Sequence, residues 1–204
     1  MKWIAFIKSS LQLPIRFIRR IKERIYVWFA FWGHDVELGK LSRFKGRPII
    51  QMVSGTKLII GKGVFINSSN SGYHLNMHSP CKLLLDRHGA SIIIGDNSRI
   101  HGACIHAYGK ITIGKNCLIA ANSHIMDGNG HDLCAENPQN RIHTSGTSQD
   151  IVIGDNVWIS ANCIVLPGSE IGEGAVIGAG SVVRGKVPAR HLAAGNPLQI
   201  IKPL

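Results

Sequence analysis

From Ile153 onward an aliphatic residue returns every sixth position: Ile153, Ile159, Val165, Ile171, Ile177 and Val183. The first, fourth and fifth are each followed by glycine. No helix has that period, and an alternating strand does not have it either. Weaker copies stand upstream as Ile60-Gly61, as Ile94-Gly95 with Ile100, and as Ile113-Gly114 with Ile119 and Ile125; three of the copies open with "IGDN", "IGKN" and "IGDN". Gly and Asn tolerate the positive φ of tight corners, and the β-branched residues favour short strands. Three six-residue steps make one triangular coil, which stacks its inward aliphatics on the coil below and pairs its backbone with both neighbours. The expected fold is all-β, a parallel β-helix over about 49–188, preceded by a segment 1–48 and followed by a tail 189–204.

The beat fails after Ile125. Continued, it would put His131, Asn137, His143 and Gln149 inside the prism, where unpaired polar groups are costly. The chain therefore leaves the prism and returns at Ile153, extruding a loop of about 131–150. Long loops on rigid scaffolds commonly carry function.

Composition narrows the partners. Formal net charge is +11, yet residues 1–47 hold 11 Lys and Arg against Glu23, Asp35 and Glu37, which leaves only +3 for the remainder. Within "MKWIAFIKSSLQLPIRFIRRIKERIYVWFAFW", Ile4, Ile7, Leu11, Ile15, Ile18, Ile25, Trp28 and Trp32 keep near-helical spacing among basic residues, with Pro14 expected to break or restart the helix. The apolar run Ile25–Trp32 is too short to span a bilayer and has no small-residue cleavage site. A basic amphipathic helix on an anionic membrane fits it, the alternative being that this face docks on the prism or across an oligomer. No established nucleic-acid module appears, so no nucleic-acid partner is expected. Cys81, Cys104, Cys117, Cys134 and Cys163 are odd in number and form no CxxC pair, which suits a reducing, cytoplasmic compartment.

"DGNGHDL", "IVIGDNVWIS", "VLPGSEIGEGAVIGAGSVV" and "AAGNPLQIIK", in that order over about residues 90–204, resemble the hexapeptide-repeat O-acetyltransferases of sugars and surface polysaccharides. The resemblance implies a left-handed coil, acetyl-CoA as co-substrate, and a homotrimer with active sites between neighbouring prisms. It maps a catalytic histidine onto His131, and imidazole is the side chain whose ordinary pKa suits a general base at neutral pH. Asp127 and Asn129 would orient the imidazole or bind the acceptor, His101 aligns near an acceptor contact, and Trp158 would border the groove. The pantetheine arm would run past Ser160, Ala161, Ala179 and Gly180, with Arg184, Lys186 and Lys202 as phosphate partners.

Plainer readings stand beside these: a solvated histidine at 131, an ordinary turn at Asp127-Gly128, corner residues at 160, 161, 179 and 180, and a packing tryptophan at 158. His101 and His106, five apart, with His124 one nominal coil beyond His106, resemble the zinc ligands of hexapeptide-repeat carbonic anhydrases. The upstream Arg and Asp pattern of that group is missing, and no metal is expected; the favoured reading stacks His106 and His124 as a surface ladder. An N-acyltransferase acting on an amino sugar or antibiotic, and an inactive scaffold, are the remaining alternatives.

Overall fold

The computed structural model describes the backbone of residues 2–204 and side chains from residue 17 onward. Three parallel sheets, of seven, eight and six strands, form the faces of a triangular prism, and every third strand in the sequence falls on the same face. The stacking is in register: Ile94 pairs with Ile113 and Ile113 with Ile153 on the first face, Ile119 with Ile159 on the second, and Ile125 with Val165 on the third. These aliphatics are almost wholly buried in one continuous core. Each contributes about 1.5–3 kcal/mol relative to an exposed position.

The "IGDN" copies explain how the coils stack so closely. A Cβ on Gly95 would lie 2.5 Å from the Gly114 carbonyl carbon, and one on Gly114 would lie 2.6 Å from that of Gly154. None of these three glycines has a positive φ; they are needed because backbone meets backbone. The next residue secures the contact, since Asp96 Oδ1 accepts from Lys62 N–H at 2.8 Å and Asp155 Oδ1 from Lys115 N–H at 2.7 Å. The asparagine takes the left-handed turn position (φ 60, 55 and 60 at Asn97, Asn116 and Asn156). Its amide then forms a ladder, Asn97 Nδ2 donating to Asn116 Oδ1 and Asn116 Nδ2 to Asn156 Oδ1.

Two boundaries differ from the sequence reading. The prism begins at Asp35, not near 49, because Asp35–Leu38 pairs with Lys57–Ile60 and Arg43–Lys45 with Phe65–Asn67. The C-terminal segment is also part of it: His191–Ala194 extends the second sheet, and Gln199–Pro203 folds back antiparallel on it. The N-terminal helix runs from Lys2 to Phe31 without ending at Pro14, which removes one backbone donor but does not stop the helix. The side chains of Trp3, Ile4, Ile7, Leu11, Ile15 and Arg16 lie outside the described residues. One side of the helix covers the first coil. Val27 is buried, Phe31 meets Phe44 edge to face at 6.0 Å, Tyr26 donates to the Pro48 carbonyl, and Glu23 Oε1 accepts from Gly46 N–H at 2.7 Å.

Gly114→Ala would force a methyl against the Gly154 backbone and should lower stability by about 1–3 kcal/mol, read as a drop in urea midpoint, with a larger loss for Gly114→Val.

Candidate functional site

The extruded segment is an arm with a paired stem. It leaves the third sheet after Met126, earlier than the sequence reading placed its start, and rejoins the first sheet at Ile151. Gln149 N–H donates to the Asp127 carbonyl at 2.7 Å, Asn129 N–H to the Thr147 carbonyl at 3.2 Å, and Gly146 N–H to the Gly130 carbonyl at 3.4 Å. The tip is closed by a 3-10 turn at Pro138–His143.

His131 stands directly beyond this stem, exposed, with Nδ1 3.1 Å from the Thr144 carbonyl oxygen. A carbonyl only accepts, so Nδ1 carries the hydrogen and Nε2 keeps its lone pair free. Thr144 is itself held, its Oγ1 accepting from Asp132 N–H at 2.9 Å and donating to the Arg141 carbonyl. The partner that orients the imidazole is thus Thr144 across the arm.

Asp127 does other work. It is fully buried, its two carboxylate oxygens accepting from Tyr108 N–H at 2.6 Å and Gly109 N–H at 2.9 Å, one coil below. Burial pushes its pKa up, while the two amides pull the other way. This carboxylate pins the root of the arm and does not touch His131. Asn129 is exposed on the stem, with its backbone in the ladder.

The residues that brace the arm escaped the sequence reading. The Arg87 guanidinium lies 3.8 Å over the Tyr108 ring and donates to the Gly146 carbonyl at 2.5 Å. The Tyr108 ring fills the space where a Cβ on Gly128 would sit. Behind it, His106 Nε2 meets Asp86 Oδ2 at 2.9 Å. These residues stack along the corner between the third and first sheets, and no six-residue beat marks them.

A second insertion was also missed. Between Asn67 and Cys81 the chain leaves the corner between the second and third sheets, and Tyr73 from it stacks on His101 with ring centroids 4.5 Å apart. The signal was the same loss of beat as at His131, because Ile60 and Ile66 are followed, at the next two beats, by Gly72 and His78. Asn67 Oδ1 accepts from Ser69 N–H, so its amide nitrogen donates to His101 Nδ1 at 3.2 Å, which leaves the ring hydrogen on Nε2. Asn122 holds the insertion down, donating to the Asn76 carbonyl and accepting from His78 N–H. His101 and His131 therefore sit at different corners of one chain.

The remaining expected residues are likewise divided. Ser160, Ala161, Ala179 and Gly180 do share one corner, linked by Gly180 N–H donating to the Ala161 carbonyl at 2.9 Å. Gly180 has φ 72, the turn position that Asn162 fills one coil below at φ 59, and nothing lies within 4 Å of where its Cβ would be. Trp158 is half-exposed on the outer face of the second sheet, between Leu118 and Val176. Arg184 is exposed where the third sheet turns into the first, and Lys202 lies on the returning strand beside Leu192. Lys186 is on the first sheet, ion-paired with Glu170 at 2.8 Å, away from the small-residue corner. The expected ladder of His106 on His124 does not form: His124 pairs with Cys104, and His106 with Met126. The coils here are longer than eighteen residues, so an eighteen-residue interval no longer marks a vertical neighbour. Among the described residues, no three metal-ligating side chains converge.

Burial holds the His101 pKa down to about 4, with Arg99, His74 and Lys45 adding repulsion. Between its ordinary 6.5 and about 4 the unfolded chain takes up a proton at this position and the folded chain does not. The stability contribution of His101 is thus present above pH 6.5 and lost as pH falls toward 4. Urea midpoints of the wild type should fall across this window, and His101→Gln should flatten that part of the profile.

The bacterial transferase hexapeptide family (six repeats) matches residues 150–185, and the hexapeptide repeat of succinyl-transferase matches 110–130. WbbJ of Escherichia coli K12, named a candidate lipopolysaccharide biosynthesis O-acetyl transferase, is 35% identical over 146 residues, 67% of this chain and 73% of its own. WcaF of the same strain, named a candidate colanic acid biosynthesis acetyltransferase, is 28% identical over 194 residues, 95% of this chain and 94% of its own. Among solved structures, AntD, an N-acyltransferase from Bacillus cereus in complex with dTDP and 3-hydroxybutyryl-CoA, superposes with a TM-score of 0.61 at 19% identity, covering 82% of this chain and 82% of that one. The prism is a left-handed β-helix, and the chain belongs to the hexapeptide-repeat acetyltransferase family.

Proposed function

We propose that this acetyltransferase moves an acetyl group from acetyl-CoA to a sugar hydroxyl in surface polysaccharide biosynthesis, with His131 as general base. The observation that carries the reading is the His131 tautomer, fixed by Thr144 so that Nε2 is free to accept a proton. As the hydroxyl oxygen attacks the thioester carbonyl, its proton passes to Nε2. The same imidazolium returns that proton to the leaving thiolate, so the base is regenerated without an acyl-enzyme. The names of WbbJ and WcaF favour a hydroxyl acceptor and polysaccharide synthesis over an amine acceptor.

The corner of Ser160, Ala161, Ala179 and Gly180 fits a narrow pantetheine chain, since open space lies beyond Gly180 and small side chains permit close approach to the backbone. Arg184 and Lys202 are the phosphate partners that remain unpaired among the described ion pairs, whereas Lys186 already serves Glu170. The arm carrying His131 and Asn129 springs from a different corner than the one bearing Ser160, His101 and its aromatic neighbours. A homotrimer resolves this separation by setting the arm of one copy against the small-residue corner, His101 and Trp158 of the next. The enzyme works on the cytoplasmic side, at an anionic membrane surface where a lipid-linked saccharide is within reach.

His131→Ala should lower acetyl transfer by about 10²- to 10⁴-fold while the melting curve and sedimentation stay as in the wild type; unchanged rates in the folded variant would overturn the assignment. Arg87→Gln, which frees Gly146 and the arm, should lower kcat by about tenfold with little change in the KM for acetyl-CoA.

A further inference from the structure

The N-terminal helix is apolar on two opposite sides, and the prism accounts for only one. Glu23, Val27 and Phe31, spaced by four, face the first coil. Ile18, Ile21, Ile25, Trp28 and Trp32, spaced alternately by three and four, face away from it, and each is at least 42% exposed. Phe29 joins them, Trp28 meeting Phe29 and Trp32 edge to face at 4.9 and 4.5 Å. A surface helix of a water-soluble protein needs one apolar stripe, and a contiguous second one marks a contact.

The charges beside this stripe say what it contacts. Lys22 and Arg24 are exposed and border it on its two sides, whereas the one acid of the described helix, Glu23, points inward and is held by Arg19 and Gly46 N–H. A second copy laid on this face would set these cations against cations. An anionic surface neutralises them, and tryptophan with arginine at the margin of an apolar stripe is the composition of a helix lying in a lipid headgroup layer. A cleft of about 450 Å³ where the helix meets the prism has Ile18 and Lys22 at its margin and Arg19, Glu23 and Arg47 in its lining; Arg19 is paired with Glu23, which leaves Lys22 and Arg47 as cations for a phosphate headgroup. No described helix is long and apolar enough to cross a membrane.

We propose that the outward face formed by Ile18, Ile21, Ile25, Trp28, Phe29 and Trp32 seats in the headgroup layer of an anionic membrane, with Lys22 and Arg24 against the phosphates, while the inward face of the same helix holds the prism. This gives a molecular form to the membrane location inferred above and rests on it. The helix is a two-sided mount: it keeps the N-terminal coil at the surface and leaves the rest of the prism, with its arm, in water.

The test is flotation of the full-length protein with vesicles of phosphatidylcholine alone or with about 30 mol% phosphatidylglycerol, at low and high salt. The wild type should float with the anionic vesicles, less so at high salt, and its tryptophan emission should shift to the blue. Lys22→Glu with Arg24→Glu should weaken this partition by about thirtyfold, and Trp28→Ser with Trp32→Ser by about tenfold. All forms should transfer acetyl to a water-soluble acceptor at equal rates. That readout separates the two ideas, because vesicle binding without any acetyl transfer would sink the proposed function and leave the mount standing. The mount is wrong if the wild type stays with the unbound fraction, if both double variants float like the wild type, or if the substitutions instead reduce the sedimenting mass without vesicles, which would show that a second copy covers the face.

Discussion

Backbone contact at the glycine corner sets the terms for everything else in this molecule. Where Gly95, Gly114 and Gly154 stack, neighbouring coils approach too closely for any side chain, and the aspartate and asparagine that follow convert this approach into hydrogen bonds. With one corner fixed, the inward aliphatics have no choice of register: each must lie on its counterpart in the coil below. The prism is rigid because its spacing is set by main chain, with side chains filling the volume that spacing leaves.

The order of the arm is inherited from that rigidity. The arm is an irregular segment, but its root is tied to the stack by one buried carboxylate, Asp127, which takes two amide hydrogens from the coil beneath. Tyr108 and Arg87 then brace its two strands from the same corner, and a ladder of main-chain bonds carries the geometry out to His131 and Thr144. An imidazole on a solvent-exposed arm gains a defined tautomer in this way without being buried. His101 shows the opposite solution, a ring kept neutral by burial and stacked under Tyr73.

The repeat made the fold legible, because Ile, Gly and Asn recur for reasons that are local to each coil. The departure of His131 from the prism was legible for the complementary reason, since the beat could not place it. The buried contacts of Asp127 were not, because nothing in the spacing shows that Tyr108 and Gly109 will present two amides to it. Arg87 was hidden by the weaker upstream repeats, and the Asn67–Cys81 insertion showed only as a loss of beat at Gly72 and His78; the neighbours of both lie some twenty residues or more away in the chain. His106 and His124 were misjudged by counting eighteen where the coils here run longer. Periodicity reports what is buried inside the prism; corners and insertions obey tertiary contacts that it does not encode.

The stem of the arm closes at Gly130 and Gly146, the His131 imidazole is held from Thr144, and Thr144 is braced by Arg141, so the segment from about 134 to 140 hangs beyond every bond that fixes the ring. The tip can be lengthened, shortened or exchanged with little effect on the bonds that set the His131 tautomer. Insertions, deletions and substitutions there fall in solvent, and the prism and the stem stay as they were.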